Sequence, residues 1–147
     1  LKNPDKDHRM APAFTPAQQA IIDAKNFAHL ATIFPDGTPQ VTPVWVDRDG
    51  DLIRINSAEG RAKVNNLRAN PNIAIEINNS ANPYEYVEVR GKVVEFRLEG
   101  ADAHIDALAK KYMDADSYPF RKADEQRVTI VIEPEKILGN SGGSSAD

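Results

Sequence analysis

The stretch IAIEIN, residues 73–78, alternates apolar and polar side chains with a period of two. Because successive side chains of a strand point to opposite faces of a sheet, this stretch predicts a half-buried strand with its isoleucines against a core. Residues 128–132 (VTIVI) predict a similar strand further along the chain. The run 84–96 is long enough to cross a barrel, and Gly91 stands where its alternation slips, which predicts a β-bulge.

Upstream of this strand, turn residues separate shorter β-prone runs. Residues 27–33 and 40–46 flank the sequence Pro35-Asp36-Gly37 and predict a hairpin. A second turn at 47–50 and a third strand at 52–56 extend the hairpin to an antiparallel meander of three strands.

Three short helices are also predicted. Thr15-Pro16 is typical of a helix N-cap and first turn, Gly60 opens a second helix that stops at Asn70-Pro71, and residues 99–113 have helical spacing. Pro134 is expected to end the last strand. Connections of a few residues are too short for parallel crossovers. The pattern therefore predicts a mainly β fold with short helices (α+β), an antiparallel barrel that is closed or split.

Composition limits the possible functions. The 147 residues fit one domain, which we place at 15–139 between flexible ends at 1–14 and 140–147. A net charge of −4 and the lack of a long apolar run predict a cytoplasmic protein that binds neither nucleic acid nor membrane. The absence of cysteine excludes disulfides and thiolate chemistry, and the three histidines lack metal-ligand spacing, so no metal site is expected.

The strongest local signal is NSAEGRAK, residues 56–63, where a strand end meets a helix start. Free backbone N–H groups and the positive end of a helix attract anions there, and Arg61, Lys63 and Ser57 add donors for a phosphate. The alternative is a solvated helix face, which the spacing alone favours.

Aromatic residues offer a second, weaker signal. Tyr84 and Tyr86 share one face of a strand and are candidates to flank a flat ring. Aromatic residues on strands more often pack in a core or an interface, and for Trp45 we favour a core or dimer contact.

Several motifs in order resemble the pyridoxamine 5′-phosphate oxidase-like superfamily (split β-barrel, FMN-binding type), and specifically its F420-dependent oxidoreductase branch. The resemblance covers about residues 15–139. It rests on AHLAT at 28–32 with the turn at 35–37, PQVTPVW at 39–45, RAK at 61–63 with NLRANP at 66–71, VRGKV at 89–93, and Tyr118-Pro119 before Arg127-Val128.

The resemblance implies a homodimer with two equivalent cofactor sites at the subunit interface. Arg61 and Lys63 would bind the cofactor phosphate, which makes the phosphate interpretation the favoured one. The other cofactor-binding residues implied are Asn56 and Ser57 along the approach, Thr42, Pro43 and Val44 beside the ring, and Tyr84 and Tyr86 from the partner subunit.

The sequence departs from the vitamin oxidases of the superfamily. Their adjacent Arg-Lys pair is replaced by Arg61-Ala62-Lys63, Tyr86 stands where a glutamine is common, and their C-terminal Trp and Arg elements are absent. We therefore expect F420, with FMN as the alternative cofactor, and hydride transfer to or from a small organic substrate. No residue is assigned as a catalytic acid or base. A non-catalytic flavin-, haem- or tetrapyrrole-binding protein is the rival interpretation.

Overall fold

The computed structural model describes residues 12–141, which form seven strands and three helices. In chain order these are α1 (Pro16–Asp23), β1 (Ala28–Ile33), β2 (Pro39–Val44), β3 (Asp47–Asp49), β4 (Leu52–Ala58), α2 (Ala62–Ala69), β5 (Asn72–Asn79), β6 (Asn82–Arg97), α3 (Ala101–Met113) and β7 (Arg127–Asn140). None of these helices is both long and apolar enough to span a bilayer.

One sheet contains all seven strands in the order β2-β1-β5-β6-β7-β4-β3, and every pairing is antiparallel. β2 and β3 lie at opposite ends of this order, yet only Trp45 and Val46 separate them in the chain. A link this short spans about 11 Å at most, so the two ends of the sheet must curl round to meet. No ladder joins β2 to β3 within residues 12–141, so the sheet closes as a split barrel. The predicted fold class is confirmed.

The corner at Trp45 and Val46 is held firmly. Tyr112 of α3 donates its one hydroxyl proton to the Asn26 carbonyl at 2.6 Å and accepts the Val46 N–H, while the Val46 carbonyl oxygen lies 3.2 Å from the same hydroxyl. Lys111 Nζ donates to the same Val46 carbonyl at 2.7 Å. Burial raises the pKa of Tyr112 to about 12, so this hydroxyl stays protonated and keeps its donor.

The predicted hairpin is confirmed, but the predicted meander is wrong. β1 and β2 pair from Ala28↔Val44 to Ile33↔Pro39, whereas β4 pairs with β3 and β7. Residues 47–49, expected as part of a turn, form β3 against β4. A local cause is the Asp47 carboxylate, which accepts hydrogen bonds from Arg54 Nε and Nη2 at 3.0 and 2.9 Å across this ladder.

The last strand is longer than expected. Pro134 does not end it, because β7 continues to Asn140 and Pro134 sits opposite Gly91 at a register shift. A bulge leaves a backbone position without a ladder partner, which suits proline. A Cβ on Gly91 would lie 2.2 Å from the Glu133 carbonyl oxygen, so the predicted bulge also requires glycine.

Each of the two ends that were expected to be flexible contains one residue that is part of the folded domain. Phe14 is buried in the core and Asn140 is the last residue of β7. Residues 1–11 and 142–147, on which most of those two expectations fall, lie outside the described residues.

The packing of the barrel core fixes the end of β4 and the start of α2 relative to each other. Alternate residues of β4, β5 and β7 fill the barrel, as their patterns predict: Ile53 and Ile55, Ile73, Ile75 and Ile77, and Val128, Ile130 and Ile132. α2 packs on the barrel through Val64 and Leu67, which fixes its first turn beside the end of β4. α3 has its own small cluster, Ile105, Leu108 and Tyr112, against Trp45 and Tyr118.

Candidate functional site

A cleft of about 260 Å³ opens where the end of β2, the end of β4 and the start of α2 meet. Its two sides differ in chemistry. The apolar wall consists of Phe27, Pro43, Val44, Trp45, Ile105, Tyr118 and Phe120. The basic end consists of Asn56, Ser57, Arg61, Lys63 and Arg127.

Six of the nine predicted cofactor-binding residues line this one cleft: Pro43, Val44, Asn56, Ser57, Arg61 and Lys63. Thr42 is half-buried on β2 and is not among the lining residues. Tyr84 is 76% exposed at the start of β6, and Tyr86 lines a separate groove on the outer face of the sheet with His29 and Val41. The two tyrosines are expected to contact the cofactor ring from a partner subunit. A single chain does not test this expectation, which stays a prediction.

The backbone delivers the basic end directly from β4 to α2. β4 ends at Ala58, Gly60 turns the chain with a φ of +92°, and Arg61 is the N-cap of α2. Arg61 makes no side-chain cap hydrogen bond, so no side chain occupies the first-turn N–H groups in the way a capping serine would. The structure therefore contains the strand end and the free helix N-terminus on which the predicted anion site depends.

Ser57 is an orphaned donor in this cleft. It is 2% exposed, and its Oγ has no hydrogen-bond partner among the described residues. Buried hydroxyl groups are nearly always paired, and leaving one unpaired costs about 1–3 kcal/mol. An acceptor oxygen that enters the cleft would supply the missing partner.

Lys63 is a second group in the cleft that could bind an anion. It is half-buried and forms no ion pair with the described residues. Burial lowers the pKa of its ammonium group, and the charges of Arg61 and Arg127 lower it further. Since an arriving anion would offset both effects, Lys63 is better suited to the liganded than to the empty cleft.

Arg127 is the one residue of the basic end that was not predicted from the sequence. It is 3% exposed, it donates from Nε to Asn56 Oδ1 at 2.9 Å, and its guanidinium lies 5.1 Å from the centre of the Tyr118 ring. The β4–β7 register places it opposite Ala58, next to Ser57. An arginine that opens the apolar strand 127–132 was the available signal, but nothing in the sequence pairs that strand with residues 56–58.

Within residues 12–141, a single carboxylate pairs with these cations. Glu125 lies 3.3 Å from Arg61 Nη2 through Oε1 and 3.2 Å from Arg127 Nη1 through Oε2. Its contact with Arg127 is not aligned as a hydrogen bond, so Glu125 Oε2 can still accept a hydrogen bond and Arg127 Nη1 can still donate one. Three cations against one carboxylate leave the basic end positively charged inside a protein whose net charge is −4.

The apolar wall is built from stacked rings. Trp45 stacks on Tyr112 with centroids 5.4 Å apart and meets Tyr118 edge-on at 6.1 Å. Trp45 therefore packs mainly as a core residue, and one edge of it reaches the cleft. Phe27 and Phe120 are 51% and 60% exposed at the mouth. A flat apolar ring with an anionic tail matches this pairing of a wall and a basic end.

The chain matches a known protein family over nearly all of its described residues. Residues 14–141 match the family model described as pyridoxamine 5′-phosphate oxidase. The chain belongs to the pyridoxamine 5′-phosphate oxidase family. Proteins of this family are commonly oxidoreductases and bind flavins such as FMN.

Several solved structures resemble the chain over most of its length. One named F420 reductase is 31% identical, with a TM-score of 0.75, over 85% of this chain and 98% of that chain. General stress protein 26 of Bacillus anthracis is 19% identical, with a TM-score of 0.61, over 82% and 88% of the two chains. A conserved hypothetical protein of Mycobacterium tuberculosis is 18% identical, with a TM-score of 0.66, over 93% and 96%. The last two share the fold.

Proposed function

We propose that this family member is an F420-dependent oxidoreductase that transfers a hydride between the deazaflavin and a small organic substrate. The observation that carries the proposal is the orphaned, buried Ser57 hydroxyl in a cleft that Arg61, Lys63 and Arg127 also line, beside an apolar wall. The absence of cysteine is compatible with a reducing cytoplasm, where we place the reaction.

The basic end would hold the cofactor phosphate. Arg61 offers a planar pair of donors, Lys63 a point charge and Ser57 a hydroxyl, while the start of α2 adds backbone N–H groups. Charged donors of this kind make the stronger class of hydrogen bond, so they would set the position of the whole ligand. FMN carries a phosphate too and would fit the same end.

The apolar wall would hold the redox ring. Pro43 and Val44 present a β-strand surface to it, with Thr42 adjoining, and the rings of Trp45 and Tyr118 close one side. When bound, a flavin or deazaflavin supplies the hydride chemistry. The residues of this chain bind it, orient it and exclude water, and we assign none of them as an acid or a base.

A homodimer is part of the proposal, with Tyr84 and Tyr86 reaching the ring of the second subunit. The outer face of the sheet supports it, because Tyr84 and Val41 are 76% and 66% exposed there and Tyr86 lines the groove beside them. Exposed apolar side chains that cluster on one face are typical of interfaces. Strictly monomeric behaviour in analytical ultracentrifugation would contradict this part.

F420 is preferred to FMN for two reasons. The 31% identical neighbour is named F420 reductase, and the Arg61-Ala62-Lys63 spacing departs from the vitamin oxidases of the family. The preference is tested by titrating the full-length protein with each cofactor separately, and by following oxidation of reduced F420 with a panel of enones and quinones. Binding of F420 with turnover is expected.

Each other outcome has a distinct meaning. Micromolar binding of FMN without binding of F420 would reverse the choice of cofactor. Tight binding of either cofactor with no turnover on any acceptor would favour the non-catalytic rival.

A further inference from the structure

Asn56 at the basic end is locked in one orientation. Its Nδ2 donates to the Ala101 carbonyl at 2.9 Å, and its Oδ1 accepts from Arg127 Nε at 2.9 Å. A carbonyl can only accept a hydrogen bond and a guanidinium can only donate one. These two partners therefore fix which end of the amide is nitrogen, and a flipped amide would meet both with the wrong group.

The orientation of Asn56 fixes the tautomer of His104. Asn56 Nδ2 can only donate and lies 3.1 Å from His104 Nδ1, so a hydrogen bond between the two nitrogens makes Nδ1 the acceptor. The Thr129 hydroxyl lies 3.1 Å from the same nitrogen and is able to donate to it as well. A neutral imidazole then carries its proton on Nε2, which donates to the Asp47 carboxylate, 3.1 and 3.2 Å from its two oxygens.

Asp47 anchors the far end of this chain of hydrogen bonds. Burial raises the pKa of Asp47, but the hydrogen bonds from His104 and Arg54, together with the charge of Arg54, outweigh burial and lower it. The carboxylate therefore stays ionised and remains an acceptor for His104 Nε2. Donation runs in one direction throughout, from Arg127 to Asn56, from Asn56 to His104, and from His104 to Asp47.

We propose that His104 is a positioning residue of the cleft: by accepting from Asn56 it keeps the Asn56 oxygen on Arg127, and so holds the guanidinium in place for an anion. Asn56 and Arg127 line the cleft, whereas His104 and Asp47 lie behind it. His104 is buried, at 7% exposure, and makes no contact with the cleft itself. The identity of the anion as a cofactor phosphate rests on the proposed function; the hydrogen-bond chain does not.

Two substitutions separate this role from simple packing. In His104→Asn the side-chain oxygen reaches about as far as Nδ1, so the acceptor for Asn56 is kept and the donor to Asp47 is lost. In His104→Gln the longer amide reaches toward Asp47, and the acceptor for Asn56 is lost. Both variants lose the ring, so packing losses are similar, and α3 retains its contacts through Ile105, Leu108 and Tyr112.

The first measurement needs no ligand. The Arg127 Nε–H signal of the ¹⁵N-labelled full-length protein should be protected from solvent exchange in the wild type and in His104→Asn. It should exchange at least about tenfold faster in His104→Gln, because a lost hydrogen bond of roughly 1.4 kcal/mol corresponds to a factor of ten. Equal exchange in the two variants, or a wild-type imidazole protonated on Nδ1, would overturn the proposal.

The second measurement is the dissociation constant for FMN and for F420. His104→Asn should remain within about threefold of the wild type, and His104→Gln should bind about tenfold more weakly. Equal weakening in the two variants would show that only packing matters. If the wild type binds neither cofactor, the proposed function fails, and the exchange measurement still decides the role of His104.

Discussion

Glu125 Oε2 lies 3.2 Å from Arg127 Nη1 with both atoms buried, yet the two groups are not aligned for a hydrogen bond. The carboxylate balances charge without saturating the guanidinium. An incoming anion would compete with Glu125 for Arg127, and also for Arg61.

Replacing Glu125 by Gln should therefore tighten cofactor binding. The neutral amide removes the internal competitor, and we expect the dissociation constant to fall about three- to tenfold in isothermal titration. The empty protein should lose up to about 3–5 kcal/mol of unfolding free energy, the range for removing one partner of a buried ion pair. Weaker binding by the variant would show that Glu125 assists the ligand rather than competing with it.

Arg61→Ala and Lys63→Ala should each weaken cofactor binding by about 1.5–3 kcal/mol, the range for a charge-assisted hydrogen bond. Both side chains are at least partly exposed, so the fold should persist. Lys110→Ala, on the exposed face of α3, is the matched control and should leave affinity unchanged. Loss of thermal stability with unaltered affinity would restore the solvated-face interpretation.

Ser57→Ala should have opposite effects on stability and on binding. The substitution removes an unpaired buried hydroxyl, so the free energy of unfolding of the empty protein should stay level or rise by up to about 1 kcal/mol. Cofactor affinity should fall by about 1.5–3 kcal/mol if the hydroxyl binds a charged phosphate. Denaturant unfolding and ligand titration measure the two effects. A less stable empty variant with normal affinity would mean that Ser57 has only a structural role.

Cofactor affinity should decline as the pH rises through the lowered pKa of Lys63. In the free protein burial and the neighbouring arginines depress this pKa below 10.5, and a bound anion would raise it again. Binding then takes up a proton between the two values, so it is stronger on the acid side of this window. Fluorescence titrations from about pH 7.5 upward keep the phosphate fully ionised.

Lys63→Met provides the comparison for the pH experiment. The variant should bind more weakly at every pH and should lose the decline, because no group titrates at that position. For the same reason the empty wild type should gain stability over this window as the pH rises, because its folded state releases the Lys63 proton earlier than the unfolded chain does. A decline that persists in Lys63→Met would assign the effect to another group.

Gly91→Ala should destabilise the protein by about 1–3 kcal/mol, the usual cost of forcing a methyl group into packed structure. The new Cβ would lie 2.2 Å from the Glu133 carbonyl oxygen, which belongs to the backbone and has little room to move. Chemical denaturation measures the loss. Val94→Ala, at an exposed position of the same strand, should change stability by well under 1 kcal/mol.

Features that neighbouring residues determine could be predicted from the sequence. The strand at 73–78 and the N-cap at Thr15 follow from neighbouring residues, and Thr15 forms a capping box with Gln18. Four of the five residues of the basic end could be named from the sequence, because they lie in the one contiguous stretch 56–63.

Most of the failures involve partners distant in the chain. Arg127 reaches the cleft, and Glu125 reaches the cations of the cleft, only through the β4–β7 pairing, and a single sequence does not reveal which strands pair. The meander failed for the same reason, since β4 pairs with a strand about 70 residues later instead of with β2. His104 and Asp47 are 57 positions apart, and neither stands out in its own local sequence.

The two-residue link between β2 and β3 also limits how this protein can diversify. Trp45 belongs both to the corner that brings the two sheet ends together and to the apolar wall of the cleft. A substitution there that reshapes the wall would disturb barrel closure at the same time. The segment 114–126 contributes Tyr118 and Phe120 to the same wall and contains no strand of the sheet. Substitutions in this segment would therefore change the substrate preference at the least structural cost.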